Sequence, residues 1–234
     1  MERQDVPKPA KAVPLRAMFS QARGQSPSAP LLSRKDRYAL AAAASWAVLY
    51  LAGSPWIAPD WSGHEELQML FENHQAPELR HHPTISSLFK KASGQPVYPS
   101  APTINPPIAH QLDQLRSSLI RNRTLFSLGI ILIELCLNRS FDQLRQEIQA
   151  DSFSASLGVK PDDYEIADAL MQRVYLEAGD FYGYAVQRCL RCEFPGRDIS
   201  KSFEFEQFRK DFFSYVVAPV QATFSLLPST FALL

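Results

Sequence analysis

The chain has 234 residues, enough for one large domain or two small ones, and hydrophobic residues make up 46% of it, as in an ordinary globular protein. Its 24 basic side chains equal its 24 acidic ones, and this balance argues against a nucleic-acid-binding surface, which needs a basic excess or patch. The 3 cysteines are few and odd in number, which favours a reduced protein, and since no signal peptide is recognised we expect a cytoplasmic location.

The first 32 residues contain five prolines among lysine, arginine, serine, glutamine and alanine. This composition is typical of a linker, so residues 1–32 are predicted to form a largely disordered, proline-rich arm. Only the segment Val13–Phe19 is expected to pack on the rest of the chain. A single helical domain is predicted for residues 33–228.

The first helix is predicted to begin at Ser33. Ser33 and Asp36 have the spacing of a capping box, in which each side chain accepts a hydrogen bond from the backbone amide of the other residue. Apolar residues follow at helical spacing. Gly53, with Pro55 two residues later, predicts the end of this helix.

Residues 53–107 lose the helical periodicity and hold half of the 18 prolines and four of the 5 histidines. Loops are predicted here, with short strands near Leu67–Phe71, near Thr84–Phe89 and around Val97, that is, short β-hairpins within residues 64–100. The histidines follow no regular ligand spacing, so no metal site is expected.

The segment Leu125–Leu137 is apolar except for Ser127 and Glu134. It is shorter than the roughly 20 apolar residues that a membrane span needs, and no turn signal divides it into strands. A helix without a polar face belongs at the centre of a fold, so a helix buried on every side is predicted. Gly129 is expected to let a neighbouring element approach closely, and Asn138 is expected to end the helix.

Further helices are predicted on both sides of this central one: Ile108–Arg123, Asp142–Ala150, a helix from Pro161 to Gly179, Asp180–Phe194 and Ser202–Val217. Pro161 is assigned to the first helical position, since acidic residues fill the following turn, where the helix dipole favours them. The last helix is given an apolar stripe: Phe205, Phe208, Phe212, Phe213 and Val216. Because prolines interrupt the uncharged tail after Tyr215, this tail is expected to dock on the fold rather than to anchor in a membrane.

Cys189 and Cys192 form a single CxxC pair. A structural zinc site would need two more ligands at a suitable spacing, and none follows. A thioredoxin-like redox pair would need a strand–helix context that is missing. The two thiols are therefore predicted to be packing residues. The chain has no glycine-rich phosphate loop, and no cofactor is expected. It has no GxSxG nucleophile motif either.

Four segments, taken in order, resemble the C-terminal lobe of a protein kinase: Arg37–Leu51, the Trp56–Trp61 loop, Leu125–Leu135 and Cys189–Arg197. Over about residues 32–220 the chain resembles more closely a fungal C-terminal domain of unknown function, which is found in proteins with HeLo-like, prion-inhibition-type N-terminal regions. This second resemblance is carried by LSRKDRYALA from Leu32, SPWI from Ser54, LGIILIELC from Leu128, YAVQRCLRCEF from Tyr184 and VVAPV from Val216. The two resemblances imply a mainly α fold, a kinase-C-lobe-like helical bundle around the buried helix at 125–137.

The kinase resemblance extends to the catalytic positions. Asp60 stands where the catalytic-loop aspartate would lie, but Ala58 and Pro59 replace the histidine and arginine before it. Glu65 stands in the place of the metal-binding asparagine, and Glu78 begins the nearest counterpart of the Asp-Phe-Gly motif. Phosphoryl transfer needs that aspartate and asparagine, a lysine on the phosphates and a positioned base. These three acidic residues are therefore interpreted as relics, and no enzyme activity is expected.

The resemblance implies a non-catalytic, pseudokinase-like interaction or regulatory domain in fungal self-recognition or regulated cell death. Its partner would be another protein or an N-terminal effector region that the domain restrains; neither nucleic acid nor a membrane span is expected. One alternative is a domain that has kept nucleotide or small-ligand binding through the region Trp56–Glu78. Another alternative is a truncated product of a longer protein with two regions.

Overall fold

The structure, a computed structural model, describes residues 11–20, 32–54, 57, 61, 67–72, 78–85, 120–151 and 161–227. Most of these residues lie in helices. The predicted mainly α fold class is thereby confirmed. In chain order the elements are β1 (Lys11–Pro14), α1 (Leu15–Ser20), α2 (Arg34–Leu51), β2 (Leu67–Glu72), β3 (Glu78–Ile85), α3 (Arg123–Leu137), α4 (Phe141–Asp151), α5 (Asp163–Ala178), α6 (Asp180–Arg191), a short 3₁₀ turn (Asp198–Ser200), α7 (Glu206–Phe212), a π-helix (Phe213–Val217) and α8 (Ala218–Leu226).

The central helix α3 is buried on every side, as predicted, because every residue from Thr124 to Cys136 is shielded from solvent. It packs against α2, α5 and α6. The Asn122 side chain caps its first turn, and Asn138, in the left-handed conformation with φ 55°, ends it. Gly129 allows the expected close approach, since a Cβ atom added there would lie 2.8 Å from Leu190 Cδ2 of α6.

The two polar residues within the segment Leu125–Leu137, Ser127 and Glu134, are both hydrogen-bonded, as buried polar groups usually are. Ser127 Oγ donates to the carbonyl oxygen of Trp61 at 2.8 Å. Glu134 Oε1 accepts the backbone N–H of Phe141 at 2.6 Å, at the start of α4. A carboxylate near a helix N-terminus also interacts favourably with the helix dipole, so Glu134 links the start of α4 to the central helix.

Helix α2 starts with the predicted capping box. Ser33 Oγ accepts the amide of Asp36 at 3.1 Å, and Asp36 Oδ2 accepts the amide of Ser33 at 3.1 Å. The helix ends at Leu51, and Gly53 follows with φ +83°, a conformation that favours glycine. Small buried residues on α2, among them Ala41, let it pack against both α3 and α8.

Helices α5 and α6 follow each other directly, with Gly179 between them. The predicted start of α5 was wrong by two residues: Asp162 is its N-cap, α5 begins at Asp163, and Pro161 therefore lies before the cap. The reason is a second capping box, in which Asp162 and Glu165 each accept the backbone amide of the other. Helix α6 ends at Arg191, three residues earlier than predicted.

The C-terminal part is one continuous rod of three pieces rather than the single helix predicted for Ser202–Val217. Helix α7 passes into the π-helix, and α8 then continues to Leu226. Pro219 does not interrupt this rod; it lies just after the π-helix, where the hydrogen-bond pattern already changes, since Ala218 N–H bonds to the carbonyl oxygen of Phe213 five residues back. Val217 and Val220 are buried and Phe224 packs against the core, whereas Leu226 is 82% exposed, so the uncharged tail docks on the fold through one face.

The predicted apolar stripe of the last helix was correct for three residues and wrong for two. Phe208, Phe212 and Val216 are buried, whereas Phe205 is 47% exposed and Phe213 is 40% exposed. Phe205 precedes α7, and Phe213 opens the π-helix. A stripe drawn with a single α-helical period therefore fails at both ends of α7.

The three short strands are antiparallel and lie in the order β1–β2–β3. Leu15, Phe19 and Met18 of α1 are buried, so the segment Val13–Phe19 packs on the domain, as expected. The rest of the predicted arm, residues 73–77 between β2 and β3, and the position around Val97 lie outside the described residues. The hairpins within residues 64–100 therefore stay a prediction.

The helix predicted for Ile108–Arg123 lies outside the described residues except at its end. There it was wrong, because residues 120–122 are not helical and Arg123 is the first residue of α3.

Among the described residues, no single helix has both the length and the apolar composition to cross a membrane. Helices α3 and α4 pass that test only when they are taken together, and they are bent by 79° relative to each other.

Candidate functional site

The residues that the kinase resemblance singles out cannot be compared geometrically. Asp60 and Glu65 lie outside the described residues, and so does Trp56. Glu78 is the first residue of β3, for which only the backbone is described. The interpretation of Asp60, Glu65 and Glu78 as relics therefore stays a prediction.

The CxxC cysteines lie in the core. Cys189, on the inner face of α6, is fully buried, and Cys192 ends α6 in the left-handed conformation with φ 53°. Both thiols are free, and burial raises the pKa of each above the ordinary thiol value. Among the described residues, no group of three or more histidine, cysteine, aspartate or glutamate side chains is arranged to hold a metal ion.

A polar cluster closes the C-terminal end of the central helix; we call Arg37, Tyr38, Cys136 and Tyr182 the Arg37 cluster. Arg37 Nη1 donates to the carbonyl oxygens of Leu135 and Cys136 at 2.7 and 2.6 Å. Tyr182 donates through its hydroxyl to the carbonyl oxygen of Leu132 at 2.9 Å. The last four carbonyls of a helix have no partner within it, so Arg37 satisfies two of them, while Tyr182 adds a second hydrogen bond to a carbonyl one turn earlier.

The Arg37 cluster serves stability rather than chemistry. Arg37 is only 9% exposed, and its charge faces the negative end of the α3 dipole. Burial raises the pKa of Cys136 to about 11 and that of Tyr38 well above its ordinary value, so both side chains stay neutral near pH 7. Neither group is therefore prepared to act as a nucleophile or a base.

In the part of the chain that the structure describes, a groove of about 650 Å³ lies between the end of α2 and the rod formed by α7 and the π-helix. We call it the α2–α7 groove. It is lined by apolar residues from both sides and by a polar rim from α7: Leu49, Tyr50, Glu206, Arg209, Lys210, Phe213 and Ser214. None of these residues was singled out as a site from the sequence.

Tyr50 and Phe213 line the apolar part of the α2–α7 groove together with Leu49, and both rings pack on Trp46 behind them. Tyr50 is 72% exposed and stacks on Trp46, with ring centroids 5.5 Å apart and an angle of 12° between the planes. Phe213 contacts the same indole ring from the π-helix at 5.4 Å. Trp46 Nε1 donates to Gln221 Oε1 of α8 at 3.3 Å, which fixes the indole. The three rings therefore form a supported platform rather than a set of loose side chains.

The polar rim carries one surplus positive charge. Lys210 Nζ lies 2.8 Å from Glu206 Oε1, and this hydrogen bond lowers the pKa of the Glu206 carboxylate below its ordinary value. Arg209 Nη1 donates to the carbonyl oxygen of Phe203 at 2.8 Å, which orients the guanidinium. No carboxylate pairs with Arg209 among the residues that the structure describes, so its charge is available to a ligand.

The π-helix explains why Phe213 faces the groove. In this segment the N–H of Ala218 bonds to the carbonyl oxygen of Phe213, five residues back, so each turn holds an additional residue. Phe212 and Val216 stay in the core, while Phe213 and Ser214 face outward. The sequence holds no clear signal for this turn, because Phe212, Phe213, Val216 and Val217 span about 140° and would fit one broad face of an α-helix.

Comparison with known proteins gives one match. Residues 3–226 match the model of a family described as "Domain of unknown function (DUF7580)". No curated protein and no solved structure matches the chain. Because the family model covers nearly the whole sequence, the chain belongs to the DUF7580 family.

Proposed function

We propose that this chain is a non-catalytic domain that binds another protein. The observation that carries the proposal is the α2–α7 groove, where a stacked aromatic platform and an arginine without a carboxylate partner among the described residues meet at the surface. Exposed tryptophan, tyrosine and arginine side chains dominate the binding energy of protein interfaces. A buried site for a small molecule would instead enclose its ligand on most sides.

The architecture is proposed to descend from the C-terminal lobe of a protein kinase. The support is a resemblance in sequence: the order of four segments resembles the order in such lobes, namely Arg37–Leu51, Trp56–Trp61, Leu125–Leu135 and Cys189–Arg197. Replacement of the histidine and arginine before Asp60, and of the asparagine at Glu65, supports loss of phosphoryl transfer. A scaffold of this kind can keep its packing while its function changes, because fold and function are separable.

The biological setting is proposed to be fungal self-recognition or regulated cell death. Its support is the resemblance over about residues 32–220 to domains that accompany HeLo-like N-terminal regions. In this setting the effector region acts on the cell, and the present domain restrains it or responds to a signal. The protein that occupies the α2–α7 groove would then be part of this control.

The absence of catalysis can be tested with the purified chain, Mg²⁺ and γ-labelled ATP. We expect neither hydrolysis nor transfer of the γ-phosphate above the protein-free blank, with or without a general kinase substrate such as casein. Phosphate transfer that is abolished by Asp60→Ala would contradict the proposal, because Asp60 would then act as a base rather than remain as a relic.

Nucleotide binding without catalysis can be separated from protein binding in a thermal-shift assay. We expect no change in melting temperature at millimolar ATP or GTP with Mg²⁺. Binding would be visible in this assay, because a ligand present at 100 times its Kd stabilises the folded state by about 2.7 kcal/mol. A clear upward shift would instead favour the alternative of a nucleotide-binding domain.

The proposed effector partner can be tested by co-purification. The HeLo-like product of a neighbouring reading frame, if one is present, should co-purify with the chain.

A further inference from the structure

We propose that the α2–α7 groove binds a protein segment in which an acidic residue lies close to a large apolar residue. This inference rests on the proposed function and specifies the partner chemistry of the same site. The apolar residue would contact Tyr50 and Phe213, whose rings are supported by Trp46, and the carboxylate would pair with Arg209.

The charge of the rim selects an acidic partner. Glu206 and Lys210 neutralise each other at 2.8 Å, which leaves the guanidinium of Arg209 as the surplus charge of the groove. Only Nη1 of Arg209 is engaged in the hydrogen bond to Phe203, so the other donors of its planar fork can bind a carboxylate. The bond to Phe203 also orients the fork in advance, which lowers the entropic cost of binding.

The shape of the groove favours a polypeptide over a small acidic molecule. A drug-sized ligand is usually enclosed over most of its surface, whereas Tyr50 is 72% exposed and both members of the Glu206–Lys210 pair face solvent. A free phosphate group would need several convergent donors, and the groove offers one arginine and one lysine that is already paired. A chain that extends beyond the groove would bury the platform and exclude water from the arginine contact.

The test begins with a phage-displayed random peptide library selected against the full chain. We expect the enriched peptides to share an aspartate or glutamate within about three residues of leucine, phenylalanine or tryptophan. One enriched peptide is then labelled, and its Kd is measured by fluorescence anisotropy. Enriched peptides without a carboxylate would overturn the proposal.

Variants then assign the binding to the groove. Arg209→Glu and Tyr50→Ala should each weaken the peptide about tenfold or more, and Tyr50→Ala cannot disturb the core because this side chain is largely exposed. Arg139→Glu is a charge-reversal control away from the groove; it also breaks the ion pair of Arg139 with Glu147, so its folding is checked by circular dichroism. Arg139 lies far from the groove. It follows the end of α3, which contacts Arg37 near the start of α2, whereas Tyr50 lies about 13 residues further along α2, or roughly 20 Å away.

A charge exchange makes the test specific for the arginine contact. A peptide whose carboxylate is replaced by lysine should bind the wild-type chain weakly and should regain affinity for Arg209→Glu. Peptides that bind both groove variants as well as the wild type would overturn the groove assignment, although the chain would still be an interaction domain. A library that yields no binding peptide would contradict both this inference and the proposed function.

Discussion

Replacement of the buried arginine at the end of the central helix should destabilise the fold strongly. Arg37→Met keeps an unbranched apolar stem but removes the guanidinium that donates to the carbonyl oxygens of Leu135 and Cys136 at 2.7 and 2.6 Å. Each hydrogen bond to a charged group contributes about 1.5–3 kcal/mol, and a cation at a partly buried helix C-terminus adds up to about 2 kcal/mol.

Part of that contribution is offset by the cost of burying the charge. Arg37 is 9% exposed, and its Nε has no hydrogen-bond partner among the described residues, so its removal relieves some desolvation. We therefore expect a net loss of about 3 kcal/mol in the free energy of unfolding, and a fall in Tm on the order of 10 °C for a chain of this length.

The matched control for Arg37→Met is Arg34→Met, one turn earlier on α2. Arg34 likewise donates to a main-chain carbonyl, that of Glu177 at 2.6 Å, and its Nε lies 3.5 Å from the Glu177 carboxylate, but its side chain is exposed. Exposed ion pairs contribute about 0–1 kcal/mol, so Arg34→Met should cost less than 1 kcal/mol. Urea unfolding followed by circular dichroism measures both values, and the m-value should not change. Equal losses in the two variants would refute the assignment of a stabilising role to the buried contacts.

Three other predictions concern the core. Gly129→Val should cost about 1–3 kcal/mol in urea unfolding, because even a Cβ atom would lie 2.8 Å from Leu190 Cδ2; an unchanged midpoint would mean that α6 shifts freely. The three cysteine thiols should react with Ellman's reagent only after denaturation, since all are buried; rapid reaction of the native chain would contradict that burial. The pKa of Cys136 is about 11 in the fold against an ordinary 9.0, so the buried thiol stabilises the fold fully below pH 9. As the pH rises from 9 to 11, up to about 3 kcal/mol of the free energy of unfolding is lost, because the unfolded chain releases this proton first. Cys136→Ala should make this loss smaller in urea titrations at pH 8 and pH 10.5, and an unchanged pH dependence would count against it.

The features that could be predicted from the sequence are those whose chemistry is local. Ser33 and Asp36 are three residues apart, and the capping box needs nothing else, so the start of α2 follows from the sequence alone. Asn138 ends the central helix for an equally local reason, its tolerance of the left-handed conformation. The buried position of the central helix follows from the lack of any polar face on which water could act.

The features that could not be predicted depend on distant or competing contacts. Pro161 and Asp162 are both good start signals for a helix, and only the reciprocal bonds between Asp162 and Glu165 decide between them. Arg37 looks like an ordinary surface residue because its acceptors lie 98 and 99 residues away. The α2–α7 groove likewise combines Tyr50 with Phe213, and the outward position of Phe213 requires the π-helix.

The hydrogen bond between Arg37 and Leu135 also has a consequence for how the chain between them can vary. Its two partners are 98 residues apart, so the segment between α2 and α3 is closed into a loop when the core forms. The free energy of loop closure rises only with the logarithm of length, by about 0.6 kcal/mol for each doubling. This increment is small compared with the free energy that the hydrogen bonds of Arg37 to Leu135 and Cys136 contribute. Insertions and deletions among DUF7580 sequences should therefore accumulate between these two helices, while the spacing within each helix stays constant.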